Sequence, residues 1–376
     1  MPSAPSQSTP PATPVPRPRG ERARWRRLAG ELGLLVASLV SCLACTAPRA
    51  TAVQGEAGAA APVVPRQSLA VTFENDLFTG SDNNYSNGFG VTWQSAEYRD
   101  YAPESFQHTW VEFWSFLPRI GDENCQVFAA WTLGQETFTP DDISLAQPPP
   151  DDQPYAGVLF LDSTLTARTD LVTHAWNLRV GVVGPAAMAE QAQNTAHEFM
   201  GVPKARGWDS QLPNEPLLNV DYTVGYDWLT SQVTDTSRAR LVPMAGASLG
   251  NYFTGASAAV YGEFGWNLPD SIGLLSIRRG LDPFVDVGSQ DTRPWTFSLY
   301  LGAGGFAVGH YLPLDGTLLS ESPSVDSEPL VGFFSTGLTL RRERWTVGYL
   351  LTRFTDTFET QRQDTDYGTL SIAWTY

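Results

Sequence analysis

Alternation of apolar with small polar residues is the feature that most constrains how this chain can fold. The pattern returns repeatedly from residue 67 onward, for instance where Val220 and Tyr222 flank Asp221, and the last segment carries it to Tyr376. A period of two residues is typical of a β-strand with one apolar face. In a soluble sandwich the alternate positions would face water and favour Lys and Glu. Here they are mostly Gly, Ser, Thr, Asn and Asp, as in a barrel lumen.

The number and content of these segments predict a membrane barrel. The 12 Trp, 13 Tyr and 19 Phe residues are enough for the two aromatic girdles of such a barrel. An even number of strands closes the sheet and leaves no unpaired edge in lipid. We therefore predict an all-β fold, a transmembrane antiparallel β-barrel of about twelve strands with a short helix in an extracellular loop. The predicted strands are 67–77, 86–96, 125–137, 155–168, 173–184, 217–231, 239–250, 254–267, 294–310, 328–341, 344–358 and 366–376.

The beginning of the chain predicts export. A basic segment at 22–27 precedes an apolar run at 32–44, and residues 50–52 are small, as a signal peptidase requires. The apolar run is too short for a stable membrane span. Residues 39–42 resemble a lipobox, so cleavage before Cys42, which would leave a lipid-anchored protein, is the alternative. The predicted organisation is a signal peptide with a disordered N-terminal extension at 1–52, a linker at 53–66 and the barrel at 67–376.

Beyond residue 52 the chain is strongly acidic. It carries 17 basic and 38 acidic residues, a net charge of −21, and Lys204 is its only lysine. This charge argues against nucleic acid as a partner and suits divalent cations, although a solvated acidic surface without a specific ligand is the alternative. Cys125 is the only cysteine beyond the leader. One thiol builds neither a disulfide framework nor a cysteine metal site, so we expect Cys125 to be structural.

The segment 97–124 is long for a periplasmic connection between strands. It carries four large aromatic residues, Trp110, Phe113, Trp114 and Phe116. An amphipathic helix lying on the inner rim of the barrel would account for them, and we take that helix as a hypothesis.

Three polar motifs are predicted to meet at one rim of the barrel. Asn75 and Asp76 end the first strand, Ser86 opens the second, and the connection after the fifth strand contains a helical segment. In that segment Gln193 and His197 fall on one helix face, one turn apart. If the first strand starts in the periplasm, odd strands rise and even strands descend. All three motifs then lie at the outer rim, facing the outside of the cell.

At these motifs the sequence resembles the lipid A 3'-O-deacylases, the LpxR type, of Gram-negative outer membranes. The resemblance covers roughly residues 68–376 and is most specific in Asn-Asp-Leu-Phe, in Tyr-Ser-Asn-Gly and in Gly-Pro…Gln-x-x-x-His…Gly. It implies a twelve-stranded barrel. It also implies calcium-dependent hydrolysis of the ester that holds the acyloxyacyl group at the 3' position of lipid A.

The resemblance also implies a role for each motif residue. Asn75 and Asp76 match the calcium-associated pair, Ser86 the active-site hydroxyl, His197 the catalytic histidine and Gln193 the glutamine that accompanies it. Ester hydrolysis needs a base and positive charge near the developing oxyanion. The imidazole of His197 suits the base, and Ca²⁺ bound by Asp76 and Asn75 suits the electrophile. Ser86 either attacks the ester or orients water or substrate, and we favour attack by water.

Several alternatives stay open. Asn75, Asp76 and Ser86 lie among residues that are ordinary in turns. A lysine that some family members carry beyond a Thr-Pro turn has no counterpart after Pro140, which weakens any inference on how lipid A phosphates are held. The leading prediction is an enzyme, a carboxylic ester hydrolase of the outer membrane whose partner is lipopolysaccharide. The alternatives are a non-catalytic barrel, either a small pore or a structural protein, and an outer-membrane phospholipase.

Overall fold

The computed structural model describes residues 66–78, 85–201, 203–268, 281 and 295–376. The predicted signal peptide lies outside the described residues, and so does the predicted linker except for its last residue. In chain order the described strands are β1 (Ser68–Asn75), β2 (Tyr85–Glu97), β3 (Gln126–Phe138), β4 (Ala156–Arg168), β5 (Val172–Val183), β6 (Glu215–Tyr226), β7 (Leu229–Gln232), β8 (Ser237–Gly250), β9 (Phe253–Trp266), β10 (Trp295–Tyr311), β11 (Leu330–Arg342), β12 (Trp345–Phe354) and β13 (Asp366–Thr375). The helices within the described ranges are α1 (Phe106–Phe113), α2 (Ala189–Met200) and α3 (Leu312–Asp315).

The strands form one antiparallel sheet that closes on itself. β1 pairs with β13, and β6 pairs with β8, so that the short strand β7, paired with β8 alone, is left outside the ring. The barrel therefore has twelve strands, and the predicted architecture is confirmed. The single predicted strand 217–231 is wrong, because it is divided into β6 and β7 at Asp227. The carboxylate of Asp227 accepts a local hydrogen bond from the Thr230 hydroxyl at 2.5 Å, and such bonds compete with the ladder.

Both ends of the described chain meet at one rim, which we call the terminal rim. There the backbone N–H of Gln67 donates to the carbonyl of Tyr376 at 3.0 Å. We call the opposite rim, where β1 ends and β2 begins, the distal rim. Because all neighbouring strands are antiparallel, the connections β3–β4 and β5–β6 also lie at the distal rim.

The alternation seen in the sequence separates an apolar outer face from a polar lumen. In β1 the side chains of Leu69 and Val71 are exposed, whereas Ser68 and Thr72 are buried. Inside the barrel, hydroxyl groups satisfy one another across adjacent strands, with separations of 2.6 to 3.1 Å for Ser68–Thr375, Thr72–Ser371, Ser298–Thr339 and Ser335–Thr352. Paired hydroxyls fill the lumen without leaving polar groups unsatisfied, so the polar residues predicted for the lumen are confirmed there.

Side chains from opposite walls meet in the distal half of the lumen. Arg179 of β5 donates to both oxygens of Asp162 at 2.9 and 3.0 Å, and it lies 3.4 Å from Glu136. Glu136 also accepts from the Tyr252 hydroxyl and from the backbone N–H of Leu281, each at 2.6 Å. Around this network packs a cluster of buried aromatic rings that includes Tyr85, Phe138, Phe160, Phe253, Phe306, Tyr311, Phe333 and Phe354.

The helix expected within 97–124 is present as α1, and it lies against the outer wall beside the terminal rim. Val111 is buried against β3 and β4, and the indole of Trp110 donates to the Ser163 hydroxyl at 3.1 Å. The rings of Phe106 and Phe113 on this helix, and of Phe116 just beyond it, stay exposed. No helix within the described ranges is long and apolar enough to cross a membrane.

Candidate active site

Glycine and proline determine where α2 begins and ends. Gly184 has φ +98°, and a side chain there would meet the backbone of Pro213 and Asn214 at 2.7 Å. Pro185 then opens a 3₁₀ turn that leads into α2. Gly201 ends the helix with φ +71°, a left-handed conformation that glycine adopts at little cost. The helix predicted for this connection is therefore present.

The first turn of α2 rests on the outside of the barrel. Gly157 of β4 faces outward, and a Cβ added to it would lie 2.5 Å from the Cβ of Ala189. Beside it, the side-chain amide of Gln135 in β3 donates to the carbonyl of Ala187 at 2.6 Å. Contact between the helix and the strands is thus made through very small residues and one side-chain hydrogen bond. We call the interface between α2 and the outer wall of β3 and β4 the seam.

Gln193 faces inward from α2 and connects it to the returning chain. Its side chain is 2% exposed, and its Oε1 accepts from the indole N–H of Trp208 at 2.9 Å. Trp208 in turn packs on Tyr155, whose hydroxyl reaches the Ile143 carbonyl. Burial raises the pKa of Tyr155 to about 12, so this phenol stays neutral and keeps its role as a donor. Gln193 therefore holds α2 in place through Trp208.

His197 lies one turn further along α2 with its ring partly exposed. Its Nδ1 is 2.7 Å from the carbonyl oxygen of Pro203. A carbonyl oxygen only accepts hydrogen bonds, so Nδ1 carries the proton of the neutral ring and donates it. Nε2 is then the unprotonated nitrogen, which is the arrangement that a general base requires.

Asn75, Asp76 and Ser86 lie side by side at the distal rim. Asn75 is the last residue of β1 and faces Asn87 of β2 in the ladder, and Asp76 opens a 3₁₀ turn with 3% exposure. Next to them the register between β2 and β3 shifts between Tyr85 and Asn87. Ser86 is therefore the extra residue of a β-bulge, a feature common beside active sites.

A buried carboxylate connects the two strands that carry these residues. Glu74 faces the lumen, and its Oε2 accepts from the Tyr85 hydroxyl at 2.6 Å, while its Oε1 accepts from the Thr369 hydroxyl at 3.0 Å. Glu74 directly precedes Asn75 and Asp76, and Tyr85 directly precedes Ser86. These bonds therefore fix the end of β1 relative to the start of β2.

The donor chemistry at this rim suits a hard cation. Asp76 carries a carboxylate and Asn75 an amide, and calcium prefers oxygen donors of these kinds. In the described part of the chain, no group of three or more His, Cys, Asp or Glu residues is placed to hold a metal. Calcium takes about six to eight oxygen ligands, so the donor set fits only with backbone carbonyls, water or substrate as further ligands.

Two polar residues of the seam were missed by the sequence analysis. Gln135 and Thr137 face outward from β3, beyond the apolar outward positions Trp131 and Leu133. In the sequence, the change from apolar to polar residues along the outward face of β3 could have pointed to them. The five predicted site residues all lie at the distal rim, but the placement of α2 on the outer wall was not predicted.

Comparison with known proteins identifies the family. The family model for the outer membrane protein LpxR matches residues 34–376. The chain belongs to the LpxR family. LpxR from Salmonella typhimurium has a similar fold, with a TM-score of 0.65 at 18% identity over 82% of this chain and 99% of that one. The beta domain of the Bordetella autotransporter BrkA has a TM-score of 0.39 at 7% identity over 83% and 98% of the two chains. A search of curated proteins finds no match.

Membership of the LpxR family confirms the resemblance drawn from the motifs and the predicted location in the outer membrane. The roles given to His197, Ser86, Asn75, Asp76 and Gln193 stay predictions, as does the calcium ion.

Contact between α2 and the wall can be tested with one substitution in this LpxR-family barrel. We expect Gly157→Val to displace α2, because the added Cβ would lie 2.5 Å from that of Ala189. A protease specific for lysine cuts beyond residue 52 only after Lys204, the only lysine there. Cleavage should accelerate about tenfold as the α2 connection opens. Gly262→Val is the control, since the nearest atom to its added Cβ lies at 3.8 Å. Equal rates for both variants would contradict the contact.

Proposed function

We propose that this LpxR-family barrel hydrolyses the 3'-linked acyloxyacyl ester of lipid A in the outer leaflet, using a calcium-dependent site between α2 and the outer wall. One observation carries the proposal. On three adjacent strands, the outward residues change from apolar to polar near the distal rim, and on β3 the change comes one ladder row earlier than on β1 and β2. The exposed apolar positions are Phe73, Phe89 and Leu133. The next outward positions toward the distal rim are Asn75, Asn87 and Gln135.

Such a boundary matches the chemistry of the substrate. The acyl chains of a lipid lie along the apolar wall, and its ester lies where the wall becomes polar. The start of α2 and the turn before it cover Gly157 and Gln135 from outside. In the proposed arrangement His197, further along α2, reaches the ester from the side of the membrane surface. The proposal requires the distal rim to face the outside of the cell, as expected if β1 starts in the periplasm.

In the proposed reaction His197 acts as the base. Its Nε2 removes a proton from water, and the water oxygen adds to the ester carbonyl. The imidazolium then returns the proton to the sugar oxygen as the bond from that oxygen to the acyl carbon breaks. The products are the acyloxyacyl group, released as its carboxylic acid, and a free 3' hydroxyl. A calcium ion held by Asp76 and Asn75 would supply positive charge near the oxyanion when bound. Ser86 orients water or substrate, and Gln193 positions α2 through Trp208.

Mass spectrometry of lipid A tests the proposal. Purified protein is incubated with lipid A in the presence of calcium or of a chelator. We expect a mass loss equal to the 3' acyloxyacyl group with calcium and none with the chelator. No mass loss under any condition would overturn the activity, whereas loss that is insensitive to the chelator would overturn only the role of calcium. Parallel incubation with phospholipids tests the phospholipase alternative.

The packed lumen argues against the pore alternative. Contacts cross the barrel interior, since Tyr252 of the β8–β9 turn bonds Glu136 of β3 and Phe138 packs on Tyr311 of β10. Steady ion conductance through the reconstituted protein would favour a pore, and we expect none.

A further inference from the structure

A threonine hydroxyl without a hydrogen-bond partner is buried in the seam. Thr137 is 0% exposed, and its Oγ1 has no partner among the residues that the structure describes. The side chain faces outward, because Glu136 before it faces the lumen. Burying an unpaired hydroxyl costs free energy. Hydroxyls that face the lumen elsewhere in this barrel avoid that cost by pairing.

The neighbours of Thr137 place its hydroxyl beside the proposed site. In the ladder it lies between Asn87 of β2 and Gly157 of β4. Asn87 directly follows the bulge residue Ser86, and Gly157 is the residue on which Ala189 packs. Thr137 thus lies on the floor of the seam, between Ser86 and the start of α2.

The polar groups around it differ in how they are used. The amide of Gln135 already donates to Ala187, so it holds the connection leading into α2. The Thr137 hydroxyl holds nothing in the described structure. At the neighbouring Gly157, the nearest atoms on the α2 side are the Cβ atoms of Ala187 and Ala189 and the backbone nitrogen of Ala189. Because Thr137 is fully buried, a substrate oxygen can reach its hydroxyl only if α2 separates slightly from the wall.

We propose that Thr137 is a substrate-binding residue whose hydroxyl donates to an oxygen of the acyl ester in the seam. The inference rests on the proposed function and adds to it a contact on the barrel wall. Burying this unpaired hydroxyl destabilises the free protein and stabilises no contact within it. A hydrogen bond to the substrate would explain why the hydroxyl is there.

In a Thr137→Val variant we expect the activity to fall while the stability is kept or raised. Valine keeps the shape and removes the unpaired hydroxyl, so the midpoint of urea unfolding should be equal to or above that of the wild type. The kcat/KM for lipid A should fall about three- to tenfold, the effect of losing one hydrogen bond. Thr137→Ser, which keeps the hydroxyl, should retain most of the activity.

A paired threonine provides the matched control. Thr352→Val removes a hydroxyl that lies 3.0 Å from that of Ser335 in the lumen. It should lower the unfolding midpoint and leave kcat/KM unchanged. If Thr137→Val behaves like this control, Thr137 is structural and the inference is overturned while the proposed function stands. A wild-type protein that cleaves no lipid A would overturn the proposed function and this inference with it.

Discussion

Replacing His197 by alanine is expected to lower the rate of lipid A deacylation by about 10²- to 10⁴-fold, the usual contribution of a general base. The expectation follows from its hydrogen bond, because Nδ1 is held by the Pro203 carbonyl at 2.7 Å. That contact leaves Nε2 as the basic nitrogen. The ring is only partly buried and the contact is local, so the variant should fold like the wild type.

The rate is measured by mass spectrometry of lipid A in calcium, and folding by the difference in gel mobility of heated and unheated samples. His108→Ala serves as the control, since His108 lies on α1 beside the terminal rim. It should keep the wild-type rate. Normal activity of the His197 variant would reject the base and leave the esterase proposal intact, whereas equal loss in both variants would indicate damage to the barrel.

The barrel itself was predictable because a membrane wall demands one apolar face from every strand. The last strand was predicted at 366–376 and runs over Asp366–Thr375. The turn predicted at residues 342–343 lies one residue later, at Glu343 and Arg344. Strands that lie outside the membrane wall need no apolar face, and there the prediction fails. β7 was not recognised as a separate strand. All four of its residues are exposed, so it has no alternation of buried and exposed residues that would mark where it begins.

The sequence predicted which rim the candidate site residues occupy, but not how the helix that carries Gln193 and His197 lies on the wall. Motifs gave the helix with Gln193 and His197, and strand parity gave the common rim. The place of α2 on the outer wall depends on Gly157, Ala187 and Ala189. Residues this small carry no periodic signal, and their contact follows from the register of β3 with β4. The change from apolar to polar residues on the outward face of β3 pointed toward Thr137, but only the folded wall shows that its hydroxyl is buried and unpaired.

In the lumen network, contacts that only the strand register brings together contribute strongly to stability. Glu136, Asp162 and Arg179 occupy ordinary polar positions on three strands, and only the register brings them together. Arg179 is 2% exposed, and its guanidinium also lies 3.6 Å from the centre of the Phe160 ring. Arg179→Met should therefore destabilise the barrel by about 3–5 kcal/mol, because it leaves buried carboxylates without their counter-charge.

Urea unfolding in lipid vesicles measures this loss, and two further variants determine its cause. Arg362→Met removes an exposed ion pair with Asp151, and exposed pairs contribute at most about 1 kcal/mol. Adding Asp162→Asn and Glu136→Gln to Arg179→Met removes the unpaired negative charges and should recover much of the stability. If the triple variant is as unstable as Arg179→Met alone, the loss comes from packing around Phe160 and Tyr252. If Arg179→Met unfolds like the wild type, the ion pairs contribute nothing, and the aromatic cluster alone holds the opposite walls together.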